Sequence, residues 1–207
     1  MNEHPILFST PMVKAILEGR KTQTRRIIKP QPNKDSIPTL MTQGGCVGFQ
    51  EYFGHLDMPM WCCPYGIPGA HLWVRETWQR CPECGRVVYQ ASSNQNGKVC
   101  PNCDEWLGPW KPSIHMFREY SRITLEVVNV RVERLQDITE AGARAEGAEA
   151  EKSHRVYPSS QAAWVSTYRA GFQTLWNRIN EKRAFGWDTN PFVWVVEFKR
   201  ILTRPML

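Results

Sequence analysis

The chain has 207 residues, 42% of them hydrophobic, so it can bury a core as one domain with insertions or as two small domains. Its formal net charge is +6 and its isoelectric point about 9.0, which favours polyanionic partners weakly. No apolar run approaches the roughly 20 residues of a membrane span, and the N-terminus lacks a signal-peptide pattern. We therefore expect a cytoplasmic protein with no membrane association and reduced cysteines.

A short helix is predicted between Thr10 and Gly19, after a first strand at Ile6-Leu7-Phe8. Thr10 is suited to cap the helix N-terminus, and Gly19 to end it in the left-handed conformation. The segment Arg20–Arg26 follows, and it contains four basic residues. Such a segment can form a site for an anionic or polar ligand, or it can be a solvated basic turn.

Residues 30–68 are rich in proline and glycine, which predicts a long irregular insertion with at most a short hairpin near Val47–Phe53. Three cysteines of this insertion, Cys46, Cys62 and Cys63, are expected to be buried free thiols. A second metal site with the nearby His55 and His71 is the alternative, but adjacent cysteines have poor ligand geometry and no spacing supports it. The segment Gly69–Trp78 alternates like a strand with one apolar face. Its charged side chains are expected to face water.

Four cysteines form the most specific motif of the chain by spacing. Two C-x-x-C pairs are separated by fifteen residues, as in four-thiolate zinc ribbons. Because four cysteines complete a tetrahedron, the predicted zinc is structural, and its thiolates reduce the effective net charge to about +4. The predicted zinc ligands are Cys81, Cys84, Cys100 and Cys103. The insertion that carries them spans residues 80–104.

The segment Ile123–Leu135 alternates between apolar and polar residues, but its phase shifts near Val128–Asn129, which predicts a bulge or a two-strand hairpin. A helix is predicted next, with Thr139 as N-cap and Gly147 as its stop. Glu146 would then lie in the last turn, where an acid opposes the helix dipole. This conflict indicates either a functional residue or an ordinary surface glutamate.

A longer helix is predicted from about Ser160 to Asn180 on the basis of an aromatic stripe at helical spacing, and this stripe is expected to pack in the core. A closing strand is predicted over Phe192–Lys199. Short strands interrupted by two or three helices favour an α+β fold with a small mixed or antiparallel β-barrel.

Four blocks of sequence resemble the ASCH (activating-signal-cointegrator homology) family, whose fold is a PUA-like β-barrel. Gly19–Arg26 resembles its signature, a G-x-K followed by an arginine, and the ending Phe192–Lys199 agrees with its last strand. Leu72–Trp78 and Trp110–His115 resemble a larger, often phage-associated branch. The resemblance covers residues 5–29, 69–79 and 110–147 and the last strand. It implies a single domain over residues 1–207, with insertions at 30–68 and 80–104.

Small bacterial members of this family are amidohydrolases of N4-acetylcytidine that use a lysine, a threonine and a glutamate. The matching residues here are Lys21, Thr24 and Glu146. In this scheme Thr24 is the nucleophile, Lys21 its base and Glu146 a group that orients the lysine or relays a proton. Neighbouring cations lower a lysine pKa and a close carboxylate raises it. The residues expected to bind substrate are Arg20, Arg25 and Arg26.

Two functions follow from the resemblance, with a third one less favoured. The first is hydrolysis of an acylated pyrimidine nucleoside or base. The second is an RNA-binding module of PUA type, in which Lys21, Arg25, Arg26 and the zinc ribbon contact phosphates and an exposed base. The third is a ribonuclease that uses the same lysine and threonine. The expected partners are therefore a modified pyrimidine nucleoside or RNA.

Overall fold

A computed structural model describes residues 3–32, 39–43, 46–50, 52–53, 56–57, 61–93, 99–156 and 163–201. Side chains are described for these residues except 39–57 and 152–165. The strands are β1 Glu3–Leu7, β2 Gln23–Ile27, β3 Thr39–Gln43, β4 Cys46–Gln50, β5 Tyr52–Phe53, β6 Leu56–Asp57, β7 Trp61–Cys62, β8 His71–Arg75, β9 Trp78–Arg80, β10 Val87–Tyr89, β11 Thr124–Arg134, β12 Glu151–Val156, β13 Ala163–Thr167 and β14 Phe192–Ile201. The α-helices are α1 Thr10–Leu17, α2 Glu140–Ala145 and α3 Tyr168–Asn180.

A five-stranded mixed sheet is the centre of the fold, with strand order β1-β8-β11-β14-β2. β1 pairs with β8 in parallel, and the other three pairings are antiparallel. Because β1 and β2 are the two edges of this sheet, the described strands form no closed barrel. The predicted α+β class is confirmed, whereas the open sheet does not confirm the PUA-like barrel.

Hydrophobic clusters cover both faces of the sheet, and β14 contributes to each of them. Trp194 and Val196 belong to the cluster that includes α1, whereas Val193 and Val195 belong to the one that includes α2 and α3. Burial on both faces explains why the predicted closing strand reads as a continuous apolar run. None of the helices within the described ranges is long and apolar enough to cross a bilayer.

The first helix ends as predicted but begins one residue earlier. Gly19 has a φ of +73°, as expected for a left-handed stop. The N-cap is Ser9 and not Thr10. The Thr10 hydroxyl instead donates a hydrogen bond of 2.6 Å to Gln90 Oε1. This contact fixes the start of α1 against a distant part of the chain.

The basic segment after α1 is largely a strand. Gln23–Ile27 forms β2 and pairs with β14, so that Thr24 lies opposite Val196 and Arg25 opposite Val195. Side chains directly opposite in an antiparallel pair share a face. Thr24 therefore projects on the α1 face of the sheet and Arg25 on the α2 and α3 face. The interpretation as a solvated turn is wrong for these residues, which are buried.

Two local predictions are confirmed around α2. β11 is one strand with a register shift between Val127 and Asn129, where the phase of the sequence changes. The Thr139 hydroxyl accepts a 3.0 Å hydrogen bond from the Gly142 amide at the start of α2. At the other end of this helix Gly147 has a φ of +77°.

The helix predicted from Ser160 starts later. Ala163–Thr167 is a strand, β13, which pairs with β12, and Thr167 caps the helix that follows. Of the expected aromatic stripe, Phe172 and Trp176 are buried, whereas Ile179 is 49% exposed. The stripe is therefore core-facing in its middle and open to solvent at its C-terminal end.

The insertion at 30–68 contains short strands in its described parts. β3 and β4 form a hairpin that overlaps the predicted one, and β7 extends it. Cys63 is buried and has a free thiol, as expected. Cys62 is in a disulfide, so the expectation of a free thiol is wrong for this residue. The side chain of Cys46 lies outside the described residues.

Candidate active site

A cavity of about 680 Å³ opens along the β2 edge of the sheet. Its walls come from the end of β1, the start of α1, β2 and the face of α3, and we name it the cleft. Lys21, Thr24 and Glu146 all line it, although the glutamate is more than 120 residues from the other two. The cleft lining also includes Phe8, Arg25, Arg26, Lys29, Tyr65, Phe172, Asn180 and Arg183.

Lys21 lies two residues before β2, and the residue is buried with 4% exposure. Its Nζ donates hydrogen bonds to the carbonyl oxygens of Gln23 at 2.8 Å and Glu146 at 2.7 Å, and to Glu146 Oε2 at 3.0 Å. An ammonium has three N–H donors, whereas a neutral amine has two. Three acceptors around Nζ are therefore the arrangement of a protonated lysine.

Glu146 caps the C-terminus of α2 and is also 4% exposed. One carboxylate oxygen faces Lys21 Nζ at 3.0 Å, and the other accepts a hydrogen bond from Arg25 Nη1 at 3.1 Å. These two cations outweigh the unfavourable dipole at this helix end. The position of Glu146 at a helix C-terminus is thus explained by two cationic partners, Arg25 on β2 and Lys21 just before this strand.

The ionic environment of Lys21 contains opposing influences. Burial is the largest, and it lowers the lysine pKa below its ordinary value. Glu146 raises this pKa through its charge and its hydrogen bond, whereas Arg26 and Arg25 lower it further. The net direction is downward, so Lys21 gives up its proton more readily than a solvated lysine.

Arg25 continues the charged network beyond the cleft. Its Nη2 donates a 2.8 Å hydrogen bond to Glu133 Oε2, and Glu133 in turn pairs with Arg131. Arg131 also pairs with Glu197 on β14. Sequence reasoning missed Glu133, although its place in the alternating β11 pattern is a signal that could have identified its face. The network holds Arg25, and through it Glu146, in a fixed position.

Thr24 is the second predicted catalytic residue, and its side chain lines the cleft with 4% residue exposure. Its hydroxyl has no hydrogen-bond partner among the residues that the structure describes. Thr24 and Arg25 lie on opposite faces of β2, whereas Lys21 reaches the edge between them. Lys21 Nζ is 5.5 Å from the centre of the Phe8 ring on the Thr24 side, and it contacts Glu146 on the other.

The three arginines expected to bind substrate occupy different environments. Arg25 and Arg26 line the cleft. Arg26 Nη2 donates a 2.6 Å hydrogen bond to the Leu7 carbonyl, which ties the two edge strands of the sheet together. Arg20 lies outside the cleft, on the exposed side of the turn, where it pairs with Glu18. The structure therefore does not bring Arg20 to this site.

A buried ion pair just beyond the end of β8 corrects one further expectation. Glu76 is 1% exposed, and its two carboxylate oxygens accept hydrogen bonds from Arg122 at 2.9 and 3.0 Å. The charges at the end of this strand were expected to face water. Glu76 instead joins the loop before β9 to the loop before β11.

The four predicted zinc ligands lie together. Their sulfur atoms are all within 4.8 Å of one another, and two pairs are 3.6 and 3.7 Å apart. With Zn–S bonds of about 2.3 Å, the sulfurs of a tetrahedral site are about 3.8 Å apart, so this set fits such a metal. The first pair, Cys81 and Cys84, lies in the turn between β9 and β10, and the second, Cys100 and Cys103, lies between the bridged residues Val99 and Trp106.

None of these cysteines is among the described residues that line the cleft, so the four-cysteine cluster and the cleft are separate features. A four-cysteine set leaves no open coordination position, which suits a structural ion. Comparisons of the chain with protein-family models, with curated proteins and with solved structures find no match.

Proposed function

We propose that the protein is an amidohydrolase that removes an acyl group from the exocyclic nitrogen of an N4-acylated cytosine-type substrate, with the cleft as its active site. The observation that carries the proposal is the convergence of Lys21, Thr24 and Glu146 in one cavity. The resemblance to the ASCH family assigns catalytic roles to these residue types. The cavity of about 680 Å³ is within the usual range for small-molecule sites, about 300–1,000 Å³.

In the first half of the proposed reaction, Thr24 Oγ attacks the acyl carbon while the neutral Lys21 amine takes the hydroxyl proton. The tetrahedral intermediate then collapses as the C–N bond breaks. Lys21 returns the proton to the departing cytosine nitrogen, so the first product is a free exocyclic amine. Thr24 is left as an acyl ester.

In the second half, the neutral Lys21 takes a proton from water, and the resulting hydroxide attacks the ester. The C–O bond to Thr24 breaks, and Lys21 returns the proton to Thr24 Oγ. The acid product then loses its proton to solvent. Glu146 holds Lys21 throughout with its carboxylate and its backbone carbonyl.

The resting lysine has to change before it can act as a base. It needs to lose a proton, and burial and the two arginines promote this loss. It also needs to release one acceptor to reach the Thr24 hydroxyl.

Burial of the basic residues favours hydrolysis over the alternative of an RNA-binding module. In that alternative Arg26, the four-cysteine ribbon, Lys21 and Arg25 contact phosphates, and the last two are its central cations. Both are buried and paired with carboxylates, so neither presents its charge to a polyanion. The same burial argues against a ribonuclease that would use Lys21 on a strand of RNA.

The proposal is tested by incubating the protein with N4-acetylcytidine and measuring the release of cytidine and acetate by chromatography. Thr24→Ala should reduce the rate to background, and Lys21→Gln should lower kcat by about 10²–10⁴-fold. Thr22→Ala is the matched control, because this exposed threonine of the same segment does not line the cleft. Absence of hydrolysis by the natural chain, or full activity of Thr24→Ala, would overturn the proposal.

A further inference from the structure

The cleft has an excess of positive charge beyond its catalytic pair. Its described lining contains one carboxylate, Glu146, and five cationic side chains. Two of the cations, Lys21 and Arg25, are paired with Glu146 and Glu133. The remaining three have no carboxylate partner in the described part of the chain. These three are Arg26, Lys29 and Arg183.

Two of the unpaired cations come from neighbouring segments in the exposed part of the cleft lining. Lys29 lies two residues after the end of β2, and Arg183 ends the 3-10 helix Glu181–Arg183 after α3. Both side chains belong to exposed residues, in contrast to Lys21. Lys29 Nζ is 5.4 Å from the centre of the Phe185 ring, which places this ammonium against the segment that carries Arg183.

The distance between the two ends of the cleft can be bounded from β2. A strand advances about 3.3 Å per residue, so Lys29 lies at most roughly 16 Å along the chain from Thr24. A ligand that is acylated at Thr24 and also contacts Lys29 therefore spans a distance of this order or less.

Asn180 supplies a further polar group of the cleft lining. The residue is 7% exposed, and its Nδ2 donates a 3.2 Å hydrogen bond to the Trp176 carbonyl. Its Oδ1 accepts no hydrogen bond from the residues that are described, and it is not among the atoms that are buried without a partner. This oxygen is therefore open to solvent, and a hydroxyl of a bound sugar can donate to it in place of water.

We propose that the ligand of the cleft is a nucleoside monophosphate and not a neutral nucleoside. The phosphate is bound by Lys29 and Arg183, and the acylated base lies at the Thr24 end. The identity of the base rests on the proposed function, whereas the requirement for a phosphate rests on the charges of the cleft. The phosphate ester can belong to a free nucleotide or to a nucleotide within a strand, and we assign it to the free nucleotide because the cleft volume of about 680 Å³ is that of a small-molecule site.

Calorimetric titration with CMP and with cytidine tests the phosphate site without using activity. We expect CMP to bind at least tenfold more tightly than cytidine, and this preference to fall as salt is added. The double variant Lys29→Gln with Arg183→Gln should bind the two ligands within about twofold of each other. Arg178→Gln is the matched control, since Arg178 is an exposed arginine of α3 that is not in the cleft lining.

Equal binding of CMP and cytidine by the natural chain, or an unchanged preference in the double variant, would overturn the inference. A trinucleotide with a central cytidine that binds tenfold more tightly than CMP would also overturn it, in favour of a strand. Hydrolysis of N4-acetyl-CMP and N4-acetylcytidine is measured in parallel. If neither is hydrolysed while CMP is still preferred, the proposed function fails and the phosphate site stands. If N4-acetyl-CMP and N4-acetylcytidine are hydrolysed with equal kcat/KM, and CMP and cytidine bind equally, the proposed function stands and the phosphate site fails.

Discussion

Replacing Glu146 with glutamine removes the one carboxylate in the described lining of the cleft and leaves two buried cations beside it. Breaking a buried ion pair by removing one partner costs about 3–5 kcal/mol, because the other charge stays desolvated. Lys21 keeps two carbonyl acceptors and Arg25 keeps Glu133, so we expect the lower end of this range. A loss of about 3 kcal/mol is within the 5–15 kcal/mol stability of ordinary domains, so the variant should still fold.

The loss should become smaller as the pH rises. Unfolded lysine keeps its proton up to a pKa of about 10.4, whereas burial lowers the pKa of Lys21 in the folded protein. Between these two values the unfolded state binds more protons, so stability increases with pH. In Glu146→Gln the carboxylate that raises the pKa of Lys21 is gone, so the pH range over which stability rises begins at a lower pH. As the pH rises, the variant therefore gains more stability than the natural chain does.

Urea denaturation of the natural chain and Glu146→Gln, at about pH 7 and about pH 9.5, measures both effects. The melting temperature at neutral pH should fall by roughly 6–12 °C. Glu149→Gln is the control, because this glutamate is exposed and should change stability by less than about 0.5 kcal/mol. A loss below about 1 kcal/mol at neutral pH, or a loss that does not shrink at the higher pH, would refute the assignment of a desolvated pair.

Three further predictions concern the frame of the site. Gly147→Ala should destabilise the protein by about 1–3 kcal/mol in thermal melts, because a Cβ at this positive φ would lie 3.0 and 3.1 Å from neighbouring carbons. Gly19→Ala is the control, since a Cβ there has nothing within 4 Å and should cost less stability. An equal loss of stability in the two variants would contradict the contact argument. Glu133→Gln should lower the free energy of unfolding by about 1–2 kcal/mol, since one of its partners is a buried arginine; an unchanged stability would show that the network does not hold that arginine. Elemental analysis should find a bound metal ion in the natural chain and in Cys63→Ser, but not in Cys100→Ser; retention of the ion by both variants would exclude the four-cysteine site.

Local chemistry was enough to predict the surroundings of α2. The cap at Thr139 and the stop at Gly147 depend on residues within one turn of the helix, and both are confirmed. The bulge in β11 follows from a phase change that the alternation of side chains makes visible. The cysteine cluster was predictable for the same reason, because its two C-x-x-C units are local turns.

The β2 strand could not be predicted from its own residues. Its sequence, QTRRI, has no apolar alternation that would indicate a buried strand. Arg25 can be buried because it pairs with two glutamates, and both of these are more than 100 residues away in the chain. Pairing with the apolar β14 overrides the weak local preference. Glu76 and its partner Arg122, which are 46 residues apart, were missed for the same reason. The conflict at Glu146 was visible in the sequence, but its two cationic partners were not.

The start of α3 shows a different limit. Trp164 falls at helical spacing from Tyr168, and this periodicity extends the predicted helix into β13. A short apolar segment is compatible both with the period of a helix and with the alternation of a strand. Here the pairing with β12 makes Ala163–Thr167 a strand.

The hydrogen bond from Arg26 to the Leu7 carbonyl joins the first and last strands of a sheet that is otherwise open at this side. Unpaired strand edges are where sheets add foreign strands and aggregate. A ligand held against β2 would shield this seam, so occupancy should protect the protein against self-association as well as against unfolding. The chain would then be most prone to aggregate when its substrate is scarce.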